Sequence, residues 1–147
     1  MKTVGSLILK TYKASEALRK VPDRQIVLTL EKLADALKSA SPYILRANKK
    51  DLARKEKDDP RNDRLILNEQ RIGSIAESIR KVSRLPNPSG KILEKRVLGN
   101  GIELEKRSVP LGVVAAIYES RPNVTFDIAA LCLRSMNACL LKGSIDA

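Results

Sequence analysis

Apolar side chains recur at the spacing of amphipathic helices through the first 85 residues of the chain. The clearest stripe follows i, i+4, i+7 and i+11 and consists of Ile26, Leu30, Leu33 and Leu37. A second helical stripe consists of Ile72, Ile75, Ala76, Ile79 and Val82. Together with the prolines and polar residues at its boundaries, the apolar pattern of this part predicts four helices. The first lies over residues 2–20, the second begins at residue 22, the third covers residues 42–57 with Ser41 as its cap, and the fourth follows the cap Asn68.

A proline-rich linker and a β-hairpin pattern follow these helices. Residues 85–90 (LPNPSG) indicate a rigid linker and the best segment boundary of the chain. Residues 92–98 lead into Gly-Asn-Gly at 99–101, which is a strong hairpin turn signal, and residues 102–105 alternate apolar and charged side chains. The charged outer face of this hairpin fits either plain solvent exposure or an edge that pairs with another subunit.

The last part of the chain predicts a strand, a polar turn, a helix and a second strand. Residues 112–118 (GVVAAIY) form an unbroken apolar run, which is typical of a strand buried on both faces of a sheet. A helix is expected over residues 125–136, with Asn137 in the left-handed conformation at its end, and a second apolar run over residues 138–142 stops at Gly143. This order predicts the first βαβ unit of a parallel sheet, in which ligands bind at the carboxyl ends of the strands. An ordinary βαβ unit with a polar surface loop fits the same pattern.

Composition narrows the possible function classes. The chain contains no histidine, so a Ser-His-Asp triad, a Cys-His pair and a histidine metal site are excluded within it. Its two cysteines are too few for a zinc site or a disulfide framework. No apolar run approaches the roughly 20 residues of a membrane helix. Lys10 and Lys13 interrupt the N-terminal apolar run before it resembles a signal peptide, so the sequence predicts no membrane association and a cytoplasmic location.

The net charge of +11 raises the hypothesis of nucleic-acid binding. The positive excess lies entirely within residues 1–107, where basic side chains are interspersed with acidic ones. Aromatic side chains for base stacking are scarce, with one Phe, three Tyr and no Trp. A solvated, lysine-rich helical surface is therefore the favoured interpretation, and no nucleic-acid partner is expected.

Three runs near the end of the chain carry a specific resemblance: residues 109–113 (VPLGV), 117–125 (IYESRPNVT) and 131–133 (LCL). They closely resemble the γ-glutamyl phosphate reductases, also called glutamate-5-semialdehyde dehydrogenases, of the aldehyde dehydrogenase superfamily. The resemblance continues upstream and covers most of the chain from about residue 20. The upstream segments that carry it are residues 47–52, 63–67, 71–72 and 85–90.

This resemblance implies an α/β, aldehyde dehydrogenase-like fold in three segments. These are an N-terminal helical segment (1–85), a linker and hairpin (86–109), and the start of a Rossmann-type NADP-binding βαβ domain (110–147). The family's catalytic domain, which carries the nucleophilic cysteine, is expected to be absent, so the chain resembles an inactive N-terminal fragment. Cys132 on the apolar face of a helix and Cys139 in a buried strand are expected to be inert thiols.

The resemblance also implies a reaction, the NADPH-dependent reduction of L-glutamyl 5-phosphate to L-glutamate 5-semialdehyde in proline biosynthesis. In the family a cysteine thiolate attacks the acyl phosphate, phosphate leaves, and hydride from the nicotinamide reduces the thioester. Each step develops negative charge on the former carbonyl oxygen, which a preorganised amide donor stabilises. Asn123 matches the superfamily asparagine that supplies this donor, and its alternative interpretation is a turn asparagine or a helix cap.

The resemblance assigns further residues around the strand ends. Lys142 matches the basic residue that reaches the cofactor's adenosine ribose, although a solvent-facing lysine fits as well, and Gly143 allows close approach of the backbone to the cofactor. Glu119 and Ser120 line the same crevice and are assigned to cofactor binding. Arg121 is assigned to the substrate, whose phosphate or carboxylate it could hold bidentately, or it pairs with Glu119 instead.

The chain departs from the family pattern at three positions. The family usually has glycine where Met136 and Ser144 stand, and a polar residue where Ile145 stands. Met136 is expected to disturb the helix end, and Ser144 to crowd the cofactor loop. A second hypothesis follows from the hairpin, in which the chain is a non-catalytic module that forms homo-oligomers through that hairpin.

Overall fold

The computed structural model describes residues 3–55, 62–119 and 121–144. No helix in these ranges is long and apolar enough to cross a membrane. The described residues form six helices and four strands in the order ααααα-ββ-βαβ. The elements are α1 (Val4–Leu18), α2 (Asp23–Ser39), α3 (Ser41–Leu52), α4 (Asn62–Leu65), α5 (Glu69–Ser83), β1 (Ile92–Val97), β2 (Glu103–Arg107), β3 (Val113–Tyr118), α6 (Pro122–Arg134) and β4 (Ala138–Gly143).

The core lies where α2 and α5 pack against each other and against α6. Both predicted apolar stripes face it, and Leu30, Ile72 and Ile79 are fully buried. Full burial of one such side chain stabilises the fold by about 1.5–3 kcal/mol. Ala130 of α6 and Met136 just beyond that helix complete the cluster. The helical periodicity therefore predicts the core of the chain correctly.

The helix boundaries agree with the prediction at one cap and differ at another. Asn68 caps α5, because its side-chain oxygen accepts the amide of Arg71 at 2.7 Å. Helix α3 ends at Leu52 and not near residue 57, since the following backbone closes into i to i−3 hydrogen bonds. Ser41 belongs to the first turn of α3, and its hydroxyl group is buried without a hydrogen-bond partner among the described residues. The prediction of Ser41 as a capping side chain is therefore wrong.

The predicted hairpin is present and lies apart from the core. Strands β1 and β2 pair antiparallel, with Val97 opposite Glu103, and every residue of both strands is exposed. Charges alternate across one face, where Lys95 lies 2.8 Å from Glu103. The backbone of Ser108 pairs with Gly90 and Lys91 and closes the base of the hairpin.

The predicted βαβ unit is also present, and its two strands are parallel with Val113 opposite Ala138 and Tyr118 opposite Gly143. Strand β3 is not buried on both faces, because no described element covers the side on which Ile117 is 86% exposed. Helix α6 begins at Pro122, three residues earlier than expected. Proline fixes φ near the helical value and needs no donor partner in the first turn, so it starts the helix directly.

Helix α6 ends in a Schellman motif in which Met136 takes the left-handed conformation, with φ of 61°. The amide of Asn137 donates to the carbonyl of Cys132 at 2.8 Å, and the amide of Met136 donates to Leu133 at 3.0 Å. The expectation that Asn137 is the left-handed residue is wrong by one position. Asn137 instead uses its side-chain oxygen to accept the amide of Gly112 at 2.9 Å, which joins the helix end to the start of β3. The helix end keeps both capping bonds, so Met136 does not disturb it.

Candidate functional site

The connection from β3 to α6 places the start of the helix beside the end of the strand. Only three residues separate Tyr118 from Pro122, and the middle one, Ser120, lies outside the described residues. The hydroxyl group of Tyr118 lies 2.6 Å from that of Thr125, so a hydrogen bond ties the strand end to the first turns of α6. The side chains at this turn are therefore held close to the carboxyl edge of the sheet.

A cleft of about 460 Å³ lies between this helix start and the segment formed by α4 and α5. Its volume falls within the range of small-molecule sites. Its lining combines guanidinium groups, carboxylates, two serines and one side-chain amide. The charged and amide residues of the lining are Asp63, Arg64, Arg71, Arg121, Asn123 and Asp127.

One wall of the cleft is fixed by side chains that bind backbone atoms. The Arg71 guanidinium donates to the carbonyl oxygens of Asp63 at 2.7 Å and Ile66 at 2.6 Å. It also lies 3.2 Å from the Asp63 carboxylate. Asn48 contributes from α3, where its side chain donates to the carbonyl of Leu65 at 2.8 Å and accepts the amide of Leu67 at 2.9 Å.

Neither Asn48 nor Arg71 was assigned a role from the sequence. Both lie within the segments that carry the family resemblance, which was the only signal available for them. Asn48 is separated from its bonding partners by 17 and 19 positions. Sequence spacing alone does not reveal contacts over such distances, because they depend on how α3 packs beside the loop.

Asn123 lies in the first turn of α6 and lines the cleft. Its Nδ2 atom donates to Oδ2 of Asp127, one helical turn later, at 3.2 Å. An ionised carboxylate only accepts hydrogen bonds, so this contact fixes which end of the amide is nitrogen and leaves one of its two N–H groups free to donate. The residue at the cap position is Arg121, so the interpretation of Asn123 as a helix cap does not hold.

Arg121 lines the same cleft as Asn123. The alternative pairing of Arg121 with Glu119 is not seen, since neither side chain forms an ion pair among the described residues. Arg64 on the opposite wall is likewise exposed and unpaired within the described ranges. The cleft therefore contains two guanidinium groups that no described carboxylate neutralises.

The other predicted site residues lie at the strand ends and do not line the cleft. Glu119 follows β3, while Lys142 and Gly143 end β4, with Gly143 opposite Tyr118. Lys142 is exposed, and its ammonium group lies 3.4 Å from the carbonyl oxygen of Gly143. The amide of Ser144 donates to the carbonyl of Tyr118 at 3.1 Å and extends the strand pairing. The predicted positions Ser120 and Ile145 lie outside the described residues.

The two cysteines pack against each other between α6 and β4, away from the cleft. Burial raises the pKa of the Cys132 thiol, and the neighbouring Cys139 thiol adds to that shift. Burial also raises the pKa of Cys139. Both groups are therefore protonated at neutral pH, which makes them poor nucleophiles.

The chain is similar to γ-glutamyl phosphate reductases over nearly its whole length. It is 52% identical to that of Chlorobium phaeobacteroides over 145 residues, which are 99% of this chain and 35% of that protein. It is 54% identical to that of Chlorobaculum parvum over 134 residues, or 91% of this chain and 32% of that protein. The solved γ-glutamyl phosphate reductase of Thermotoga maritima matches with a TM-score of 0.88 at 33% identity, covering 94% of this chain and 34% of that one. No family model matches the chain.

These findings confirm the resemblance and the α/β fold that the sequence predicted. The chain spans about a third of the length of the curated relatives it matches. The relatives are reductases by name, so the similarity supports an oxidoreductase family.

Proposed function

We propose that this chain forms part of a γ-glutamyl phosphate reductase, which reduces L-glutamyl 5-phosphate to L-glutamate 5-semialdehyde with NADPH in proline biosynthesis. The observation that carries the proposal is the Asn123 amide, which Asp127 orients in a cleft at the carboxyl end of β3. The 52% identity to a reductase supports it. The proposed domain organisation consists of the segments 1–85, 86–109 and 110–147. We propose that the enzyme works in the cytoplasm. Its proposed substrate is a small acyl phosphate and not a nucleic acid.

In this proposal Asn123 donates the free N–H of its side chain to the substrate oxygen on which negative charge develops. The amide is preorganised, because Asp127 accepts the other N–H and holds the side chain in one orientation. A donor that is already in place costs no reorganisation during the reaction, which is why such groups contribute strongly to catalysis. The nucleophile is a cysteine outside this chain, since Cys132 and Cys139 are protonated and lie away from the cleft.

The strand-end residues fit a dinucleotide with an additional phosphate. The ammonium group of Lys142 forms no ion pair among the described residues and is exposed, so it can hold a 2′-phosphate. Gly143 ends β4 beside it and has no side chain to obstruct the backbone. Glu119 lies at the end of the neighbouring strand, and we propose that it lines the same cofactor crevice together with Ser120. NADPH supplies hydride when it is bound there.

The experiment uses a chimera in which these 147 residues replace the matching third of the Chlorobium phaeobacteroides reductase. Replacing Asn123 by Ala is expected to lower kcat by about 10²- to 10³-fold with little change in KM, because the donor acts on charge that develops in the transition state. Steady-state kinetics measure both constants. Asn100→Ala, in the exposed turn of the hairpin, is the matched control and should leave kcat within about twofold of the parent.

Equal kcat values for the Asn123→Ala chimera and its parent would contradict this role of Asn123. The purified 147-residue chain is expected to show no turnover by itself, because it holds no reactive thiol. NADPH-dependent reduction of the acyl phosphate by that chain would therefore contradict the proposal that the nucleophilic cysteine lies outside these 147 residues.

A second function, homo-oligomerisation through the hairpin, is favoured by the exposure of apolar side chains on β1 and β2. Leu93 is 61% exposed, Val97 64% and Leu104 43%, although all three lie in regular strands. Unpaired strand edges with apolar residues are suited to pairing with another copy. Size-exclusion chromatography with light scattering tests this, and a monomer at high concentration would contradict it.

A further inference from the structure

The cleft contains more positive charge than the orientation of a catalytic amide requires. Of its three arginines, Arg71 is committed to backbone carbonyls and to Asp63. Arg64 and Arg121 face the same space from opposite walls, one on α4 and the other before α6, and neither has a partner among the described residues. Two unpaired guanidinium groups in one cleft are suited to an anion.

The carboxylates of the cleft do not cancel this charge. Asp63 is paired with Arg71, and Asp127, which keeps its negative charge while it accepts the Asn123 amide, offsets only one of the two unpaired guanidinium groups. The 13-residue helix α6 also directs its positive end towards the cleft, because its first turn carries Pro122 and Asn123 of the lining. The available interactions in the cleft therefore favour a ligand that carries a negative group.

We infer that Arg64 binds the α-carboxylate of an amino-acid substrate whose reacting carbonyl group lies at Asn123, while Arg121, on the same wall as Asn123, faces the reacting end. The inference rests on the proposed function and extends it to recognition of the substrate's amino-acid end. In a five-carbon amino acid the two ends of the chain are roughly 5 Å apart, which a cleft of about 460 Å³ accommodates. The second oxygen of Asp127 is available for the α-ammonium group, so the cleft complements both charges of an amino acid.

A carboxylate and a phosphate are both oxyanions, and the position of Arg64 favours the carboxylate. The substrate phosphate is attached to the reacting carbon, which the proposed function places at Asn123 on the α6 wall. Arg64 lies on the other wall, formed by α4 and α5. It is therefore placed for the end of the substrate that does not react.

The reverse reaction separates these two ligands, because glutamate 5-semialdehyde and orthophosphate enter it as independent substrates with NADP⁺. In the chimera, Arg64→Gln is expected to raise KM for the semialdehyde by about tenfold, as the loss of one charged hydrogen bond predicts, and to leave KM for orthophosphate within about twofold. Arg64→Lys should recover part of the loss, since lysine keeps the charge without the bidentate geometry. Arg24→Gln, at an exposed arginine outside the cleft, is the matched control and should change neither constant.

Calorimetric titration with L-glutamate and with 4-aminobutyrate supplies a readout that does not depend on turnover. The two probes differ only in the α-carboxylate, so the parent should bind L-glutamate more tightly, and Arg64→Gln should abolish most of that difference. An increase in KM for orthophosphate alone, or unchanged constants with equal binding of both probes, would overturn the inference. A parent chimera without turnover would contradict the proposed function, while the two titrations would still decide whether the cleft binds an α-carboxylate.

Discussion

Met136 combines two opposing contributions at a single residue. Its backbone is left-handed, with φ of 61°, which costs a residue with a side chain about 1 kcal/mol relative to glycine. Its side chain is only 6% exposed and belongs to the core cluster. Burial of the methionine offsets the backbone cost, so a residue that is unfavourable by conformation is retained by packing.

At position 136 a glycine variant is expected to be more stable than an alanine variant, which is the reverse of the usual order of stability. Met136→Ala loses the buried side chain and keeps the strain, which costs about 3 kcal/mol of unfolding free energy. Met136→Gly loses the same contacts but relieves the strain, and should be about 1 kcal/mol more stable than the alanine variant. Urea denaturation measures both values.

The control for this comparison is Ala130→Gly, at a fully buried position inside α6, where glycine should lower stability by about 1 kcal/mol. An alanine variant at position 136 that equals or exceeds the glycine variant would show that the left-handed conformation carries no cost there. The sequence predicted the left-handed turn at the end of this helix but assigned it to Asn137. The decisive contact, from the Asn137 side chain to Gly112, spans 25 positions and is not visible in local preferences.

At the scale of elements, Arg134 joins three parts of the chain that are far apart in sequence. Its side chain is 7% exposed, and it lies 2.5 Å from the Asp23 carboxylate at the start of α2. It also donates to the carbonyl oxygen of Leu85 in the linker at 2.6 Å. The hydrogen bond from Arg134 holds the pKa of Asp23 below its ordinary value of 3.8, although partial burial opposes this. Arg134 thereby links α2, α6 and the linker.

The lowered pKa of Asp23 predicts a pH dependence of stability. A carboxylate whose pKa is lower in the folded state stabilises the fold above its unfolded pKa, and this contribution is lost as the pH falls through the folded pKa. Asp23→Asn should therefore reduce the unfolding free energy by about 1 kcal/mol at pH 7, a value discounted for the half-exposed carboxylate, and the difference should shrink below pH of about 4. Urea denaturation across this pH range measures it.

Asp51→Asn is the matched control, because Asp51 forms an exposed pair with Arg54 at 3.7 Å and should contribute little at any pH. A difference for Asp23→Asn that persists unchanged to pH 3 would contradict a role of the charge. The sequence identified the elements that Arg134 connects, because helical and strand periods depend on local neighbours. It did not identify the connection, because in a sequence an arginine that becomes buried cannot be distinguished from an exposed arginine at the end of a helix.

At the scale of the whole molecule, large apolar side chains remain exposed on several faces. Ile117 on β3 is 86% exposed and Leu111 before it is 85% exposed. The sequence predicted that both faces of β3 are covered. In the structure the described helices α1 and α6 contact β3, but the face that carries Ile117 remains exposed. The pattern of apolar and polar residues in a sequence indicates which surfaces are apolar. It does not indicate whether the element that covers such a surface lies within the same 147 residues.

The exposed surfaces allow a test of where the chain associates with itself. If homo-oligomers form through the hairpin, Leu104→Glu should shift the chain from oligomer to monomer, because it adds a charge to an exposed strand without disturbing the core. Ile117→Glu changes a side chain of similar size at a different exposed strand and should leave the oligomer intact. Light scattering after size-exclusion chromatography measures the mass of each variant. Dissociation by Ile117→Glu alone would place the contact at the βαβ sheet and would exclude the hairpin.

The anchoring of the α4 segment has a consequence for how new specificities arise. Arg71 and Asn48 hold that segment mainly by main-chain atoms, and Arg64 takes no part in these bonds, so the path of the segment does not depend on the side chain at position 64. Position 64 can therefore be exchanged while the wall around it keeps its shape. A scaffold of this kind separates the evolution of ligand choice from the maintenance of the fold, so residue 64 is a suitable first position for changing which ligands the cleft binds.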